Sequence, residues 1–451
     1  MSNKISEKIR KFSKQDRVVL LNMIGAFSVR GVALLISVLI MPAYINYFQN
    51  QTVLGVWYTI IAILNWILYF DLGLGNGLRN LLPAAIAARD KKKVKTYIST
   101  TYITMTLLVV ILAILGMLII PNINWNRILN VSSDLVPNAM LVTTVLIVYI
   151  GILLQFIFKL VTSVLYAIQK SAVVNFMTLI SSVIILFALY IMPSSSLEIN
   201  LFRMAIVNVV ASILPSIIVS FVVYGKTLNN AFPTFKYFDK NYVSPLLKIG
   251  VSLLWLQFVF MIISSTNEFL ISNFTSPDFV VEYQAYYKIF KTGAMIFSLA
   301  LTPIWSAVTK AQAEKNYKWI IRVYKVFLIC TIICILIEFL IIPILQPIMN
   351  IWLGENAIKV NAFYAIVFAF SGSILVLHNV NTSIGNGISY FKIQMIWMTF
   401  AAIIDIPLAY LLVQITGGWI GVVIANILAL VPYEMLAPIY TMKYLKKYNT
   451  D

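Results

Sequence analysis

Long apolar runs alternate with short polar connections along the whole chain. The runs fall at Val18 to Tyr44, Leu54 to Leu82, Tyr97 to Ile120, Ala139 to Ile168, Ala172 to Met192 and Leu201 to Tyr224. Six more follow at Ile249 to Ile271, Ala285 to Thr309, Trp319 to Leu345, Val360 to Leu377, Phe391 to Val413 and Trp419 to Tyr440. A spanning helix takes roughly 20 apolar residues, so the pattern predicts about twelve transmembrane helices. The runs lack the strict alternation of barrel strands, and lipid tolerates only helices or closed barrels. The predicted class is therefore an all-α polytopic membrane protein. Ala87-Ala-Arg-Asp-Lys-Lys, at the end of run two, is echoed by Ala311-Gln-Ala-Glu-Lys-Asn at the end of run eight. Six runs per half give parallel repeats about an axis normal to the membrane. The expected organisation is a basic tail 1–17, an N-terminal lobe 18–224, a linker 225–248, a C-terminal lobe 249–440 and a tail 441–451.

Composition agrees, with 61% hydrophobic and 11% charged residues and a mean hydropathy of +0.91. Soluble chains carry about 25% charge, so a soluble enzyme, a disordered chain and a disulfide scaffold are excluded. The net charge of +17, from 33 Lys plus Arg against 16 Asp plus Glu, would suggest a nucleic-acid partner in a soluble protein. Topology accounts for most of it instead. Lys4, Lys8, Arg10, Lys11, Lys14 and Arg17 precede the first run, Arg89, Lys91, Lys92, Lys93 and Lys95 follow the second, and later connections on the same face repeat the bias. The opposite face has only Arg127 in its loops. Cytoplasmic loops retain Lys and Arg, which places both termini in the cytoplasm and leaves no basic patch for nucleic acid. The first run is too long for a cleavable signal and reads as an uncleaved anchor. Trp57, Trp125, Trp352 and Trp419 fall at outer ends, where an aromatic belt is expected.

A few charges are left inside the spans. Arg203 and Lys359 lie near outer ends and can snorkel. Arg30 and Lys159 cannot: Arg30 follows Arg17 by 13 residues, about 20 Å along a helix. A cation at that depth costs at least about 2.5 to 3.5 kcal/mol and needs a wet cavity or a partner. Lys288 and Lys291, three apart, share one helix face, and like charges there point to a visiting anion or acidic neighbours. The acids in spans are Asp71, Glu268, Glu338, Asp405 and Glu434, with Asp71 and Glu268 the leading candidates for ion coupling or pairing. Cys330, Cys334 and the lone His378 lack the further ligands of a zinc site, and no metal or organic cofactor is expected.

Run two ends in Asp71-Leu-Gly-Leu-Gly-Asn-Gly-Leu-Arg-Asn80. The glycines Gly73, Gly75 and Gly77 are no dinucleotide fingerprint, which needs a strand before a helix. They read as a helix end at the inner face that packs tightly or flexes. Pro303 interrupts run eight, as prolines do where bundle helices bend.

That segment, followed by Ala87-Ala-Arg-Asp-Lys-Lys-Lys-Val-Lys-Thr-Tyr-Ile-Ser-Thr100, resembles the O-antigen type of polysaccharide-precursor flippase in the multidrug/oligosaccharidyl-lipid/polysaccharide (MOP) exporter superfamily. Tyr287-Lys-Ile-Phe290, Leu301-Thr-Pro-Ile-Trp-Ser-Ala307 and Lys318-Trp-Ile320 are similar to its second-lobe pattern. The resemblance implies a MATE-like fold of two six-helix lobes in a bacterial plasma membrane. It implies a transporter rather than an enzyme, moving a polyprenyl-diphosphate-linked oligosaccharide between leaflets by alternating access, with proton or sodium coupling. It further implies membrane lipids and polysaccharide-assembly proteins as partners, and a functional monomer. Arg30, Lys159, Lys288 and Lys291 would then hold the diphosphate, and Trp66, Trp255, Trp305 and Tyr287 could stack on sugars. The rivals are a cation-coupled multidrug antiporter of the same fold, a glycan polymerase or ligase, which would need a substantial outer loop, and a channel, for which no filter sequence is visible.

Overall fold

The computed structural model describes residues 14–448 except 71–72, 169, 246–254, 256–257, 260, 314, 389 and 391. These are helical throughout apart from turns and connections. The first half folds as α1 (Lys14–Phe48), α2 (Gln51–Trp66), α3 (Leu74–Ala87), α4 (Lys91–Ile119), α5 (Asn138–Phe158), α6 (Leu160–Ala167), α7 (Ser171–Ile191) and α8 (Leu197–Val222). The second half folds as α9 (Asn267–Phe274), α10 (Asp278–Ala313), α11 (Tyr317–Ile341), α12 (Leu345–Leu353), α13 (Ala362–Gly387), α14 (Lys392–Thr416) and α15 (Ile420–Tyr448). Eleven of the twelve predicted runs correspond to these helices or pairs of them, and the seventh, Ile249 to Ile271, lies partly outside the described residues and meets α9 at its end. Among the described residues, nine helical stretches are long and apolar enough to cross a membrane. The other three predicted spans carry a break, lie partly outside the described residues, or are α10 with Glu282, Lys288 and Lys291.

Local signals set the boundaries. Asn50, Asp90, Ser196, Asn316 and Asn361 each cap a following helix by accepting a backbone N–H, which satisfies donors that a helix start leaves free. Within the lobes, α1 packs on α7, α5 on α8, α10 on α13, and α14 on α15. The linker is strapped to the inner end of α4: Ser99 Oγ accepts from the Thr234 amide at 3.1 Å, Thr100 Oγ1 from the Asp239 amide at 3.1 Å, and Tyr97 meets Tyr242 edge-on.

Span two departs from expectation. The glycine stretch does not close the helix at the inner face. Gly73 adopts φ +66°, a left-handed conformation that glycine takes without strain. The chain breaks there between α2 and α3, and the Gly77 amide bonds the Gly73 carbonyl at 3.0 Å as the helix restarts. Gly75 abuts α6, where an added Cβ would stand 2.7 Å from Ser163 Oγ. Asp71 lies outside the described residues. Pro303 lies within the backbone of α10, and its side chain is outside the description.

The two lobes meet along a seam. In the orientation predicted from the cations, every hydrogen bond between lobes among the described residues falls in the outer half or near mid-depth. Asn130 donates to the carbonyls of Ser272 at 2.8 Å and Thr275 at 3.2 Å, Asn273 to Ile128 at 2.8 Å, and Ser272 to Leu129 at 3.1 Å. Trp352 donates to Val38 at 2.8 Å, Asn356 to Asn46 at 2.8 Å, and Trp66 to Ser265 at 2.6 Å. Thr52 bonds Asp278. The aromatic-belt expectation fails for three of its four tryptophans: Trp352 is half-buried, while Trp57 and Trp419 are 1% exposed and Trp125 is 7% exposed. Their indoles fill the outer ends of the bundle rather than the lipid interface, because helix packing there offers more apolar contact.

Candidate functional site

The predicted cations occupy different settings. Arg30 sits in α1, and its side chain lies outside the described residues. Lys159 stands at the junction of α5 and α6, where its carbonyl accepts from the amide and hydroxyl of Thr162 at 2.9 and 2.7 Å. Its side chain is exposed at that junction. Lys288, on α10, is half-buried. Its Nζ donates to the Ser37 carbonyl of the other lobe at 3.3 Å and lies 6.0 Å from the centre of the Tyr58 ring. Lys291, one turn further on, bonds the Tyr287 hydroxyl and lies 4.4 Å from that ring's centre. Tyr287 stacks on Tyr283 with centroids 5.2 Å apart. The spacing of three therefore does put both lysines on one face, with aromatic rings as neighbours that attract a cation through their negative faces.

The acids lie deeper in the second lobe. Glu268 is buried and accepts from Gln284 Nε2 at 2.7 Å, within electrostatic reach of Lys291. The amide of Asn267 donates to the Tyr283 hydroxyl at 3.1 Å, while its own Oδ1 is buried without a hydrogen-bond donor. Asp405, 1% exposed on α14, has no close hydrogen bond to either carboxylate oxygen. Asn426 stands within loose hydrogen-bonding reach of it, while the Asn426 amide donates to the Ile263 carbonyl at 2.6 Å. Asn267, Asn426, Ser264 and Tyr283 line one narrow cavity. The unsatisfied Asn267 Oδ1 on that cavity wall is unusual, since buried polar atoms are ordinarily satisfied. Asn267 and the buried Asp405 carboxylate are groups that suit a small cation or a proton.

His378 is not alone, as its count suggested. Its Nδ1 lies 2.7 Å from Glu434 Oε1, Asn381 donates to Glu434 Oε2 at 2.8 Å, and Tyr324 donates to Asn381 Oδ1 at 2.7 Å. This buried network ties α11, α13 and α15 together. Of the candidate aromatics, Trp66 is engaged at the seam, Trp255 is half exposed with its indole on Thr399 Oγ1 at 3.1 Å, and the Trp305 side chain is outside the description. Sequence reading named Asp405 as an intramembrane acid but ranked Glu268 above it. No sequence signal marked Gln284 as the residue that would satisfy Glu268.

No family model and no curated protein matches the chain. Solved structures do. A multidrug resistance MATE family transporter of the MOP superfamily in its inward-facing conformation superposes with a TM-score of 0.74 at 16% identity, covering 94% of this chain and 99% of that one. An outward-facing conformation of a multidrug resistance MATE family transporter gives 0.63 at 13% identity over 95% and 96%. A MATE structure in complex with MaL6 gives 0.64 at 15% identity over 94% and 97%. At these identities the likeness establishes the fold: about twelve membrane-spanning helices in two lobes, arranged as in MATE transporters.

Proposed function

We propose that the chain is an alternating-access flippase that carries a polyprenyl-diphosphate-linked oligosaccharide across a bacterial plasma membrane, coupled to a small cation. The observation that carries the reading is the pair of half-buried lysines on one face of α10, Lys288 and Lys291, with Lys288 reaching across to the Ser37 carbonyl of the other lobe. A double anion cannot enter hydrocarbon, and lysines held in a protein cavity replace its water with charge-assisted donors. Among the described residues, inter-lobe hydrogen bonds in the outer half and near mid-depth support the cytoplasmic side as the loading side in this reading. Asp405 and Asn267 are the coupling site in this reading, ahead of Glu268, whose carboxylate accepts from Gln284 at 2.7 Å.

A second reading, a cation-coupled antiporter for cationic compounds, draws on the same buried acids and on the multidrug transporters that share the fold. One experiment separates the two. The purified protein is reconstituted in liposomes, and leaflet exchange of a lipid-diphosphate oligosaccharide is compared with uptake of a cationic dye. The flippase reading expects lipid exchange that drops sharply in Lys288→Met/Lys291→Met while the dye stays out. Dye transport with no lipid exchange would replace it with the antiporter.

A further inference from the structure

We propose that Pro42 and Trp352 form a latch that holds the outer gate shut: the proline frees a backbone carbonyl in the first lobe, and the indole of the second lobe docks on it. In an α-helix each amide donates to the carbonyl four residues earlier. Pro42 lies inside α1 and has no amide hydrogen, so the Val38 carbonyl has no partner in its own helix. An unpaired carbonyl in a lipid-embedded bundle must find another donor. The donor is Trp352 Nε1, 2.8 Å away, on the short helix α12 of the opposite lobe. Indole has one donor and no acceptor, which makes it a specific mate for a lone carbonyl.

The surroundings reinforce the pairing. Lys288 reaches the neighbouring Ser37 carbonyl at 3.3 Å, so two cross-lobe donors converge one turn before the proline. Asn356 closes on Asn46 just above. On the far side of the seam, Gly55 packs so tightly that an added Cβ would stand 1.9 Å from the Pro277 carbonyl oxygen. Any opening toward the outside must separate these pairs. When the gate opens, Val38 loses its donor and must find another, which biases the empty protein toward the outward-closed state. Pro42 and Trp352 are thus positioning residues of the gate, not substrate contacts.

This inference rests on the alternating-access reading, and the test distinguishes the two. Nitroxide labels are placed at Ser133→Cys and Gln414→Cys, exposed at the outer ends of the two lobes, in a Cys330→Ser/Cys334→Ser background. Distances are measured by double electron–electron resonance. Gly55→Leu wedges the seam and should move the labels to a longer distance. If it does not, the lobes do not rock and the reading itself fails. Trp352→Phe keeps the ring and deletes the donor; Pro42→Ala restores the helical amide that pairs Val38. Each should lower the ratio of closed to open populations about fivefold, the yield of one net hydrogen bond. The double variant should show no further change, because both substitutions end the same contact. Populations unchanged in both single variants, or effects that add in the double, would overturn the latch while Gly55→Leu still reports rocking. Pro42→Ala, a helix-favouring change, keeps the test alive if Trp352→Phe folds poorly.

Discussion

The two lobes share an architecture and differ in what they bury. In the first, the buried polar side chains are neutral hydroxyls and amides, several bonding within their own helix: Thr59 to the Gly55 carbonyl at 2.9 Å, Thr101 to Tyr97 at 2.8 Å, Thr144 to Met140 at 2.8 Å. Among the described residues, its interior buries no acid, lysine, arginine or histidine. The second lobe buries Glu268, Glu338, His378, Asp405 and Glu434. Ionisable groups inside a membrane are expensive unless paired or used. Among the described residues these groups fall in the second lobe, so the proposed reading expects the first lobe to act as a scaffold and the second as the part that changes protonation or ion occupancy.

The largest expected effect breaks that division at Glu434. Glu434→Leu removes the acceptor for His378 and Asn381 at once and leaves buried donors without partners, a cost of about 3 to 5 kcal/mol for a broken buried pair. Equilibrium unfolding in mixed micelles should register this loss. Thr144→Val in the first lobe, which deletes only a bond to its own helix, should move the same transition far less. A small loss in Glu434→Leu would mean that the network is solvated and that the lobes are less different than they look.

Asp405 sharpens the contrast in the other direction. Its oxygens make no close hydrogen bond, so Asp405→Asn, which keeps the shape and removes a buried acid, should leave unfolding unchanged or slightly raise stability. Exchange of the lipid-linked substrate should lose its dependence on an imposed proton or sodium gradient. Preserved gradient dependence would move coupling elsewhere, with Glu268 the next residue to substitute by Gln.

Much of this was legible in the chain. Run length gave the spans, since a bilayer imposes a minimum apolar length whatever the packing. What escaped was everything decided by rotation about a helix axis. His378 and Glu434 lie 56 positions apart, and apolar runs that are hydrophobic all round give little indication of which faces meet. The outer tryptophans fit a belt by depth, yet depth does not say whether a ring points to lipid or inward. The break at Gly73 was half legible: the glycines marked a weak place, but not that the helix would resume beyond it.

The smallest effect probes the scaffold itself. Tyr102 and Tyr224 share a buried hydroxyl pair at 2.7 Å, joining α4 to the end of the first lobe, with rings edge to face at 5.7 Å. Tyr102→Phe keeps the ring contact and deletes one hydroxyl. Hydrogen bonds between membrane helices average only about 0.6 kcal/mol, because the unfolded chain in the bilayer also finds partners. A destabilisation of that size, with the gradient dependence of transport intact, is the signature of a scaffold bond. If this substitution instead altered the cation dependence, the first lobe would take part in coupling, and the division drawn from the buried charges would have to be abandoned.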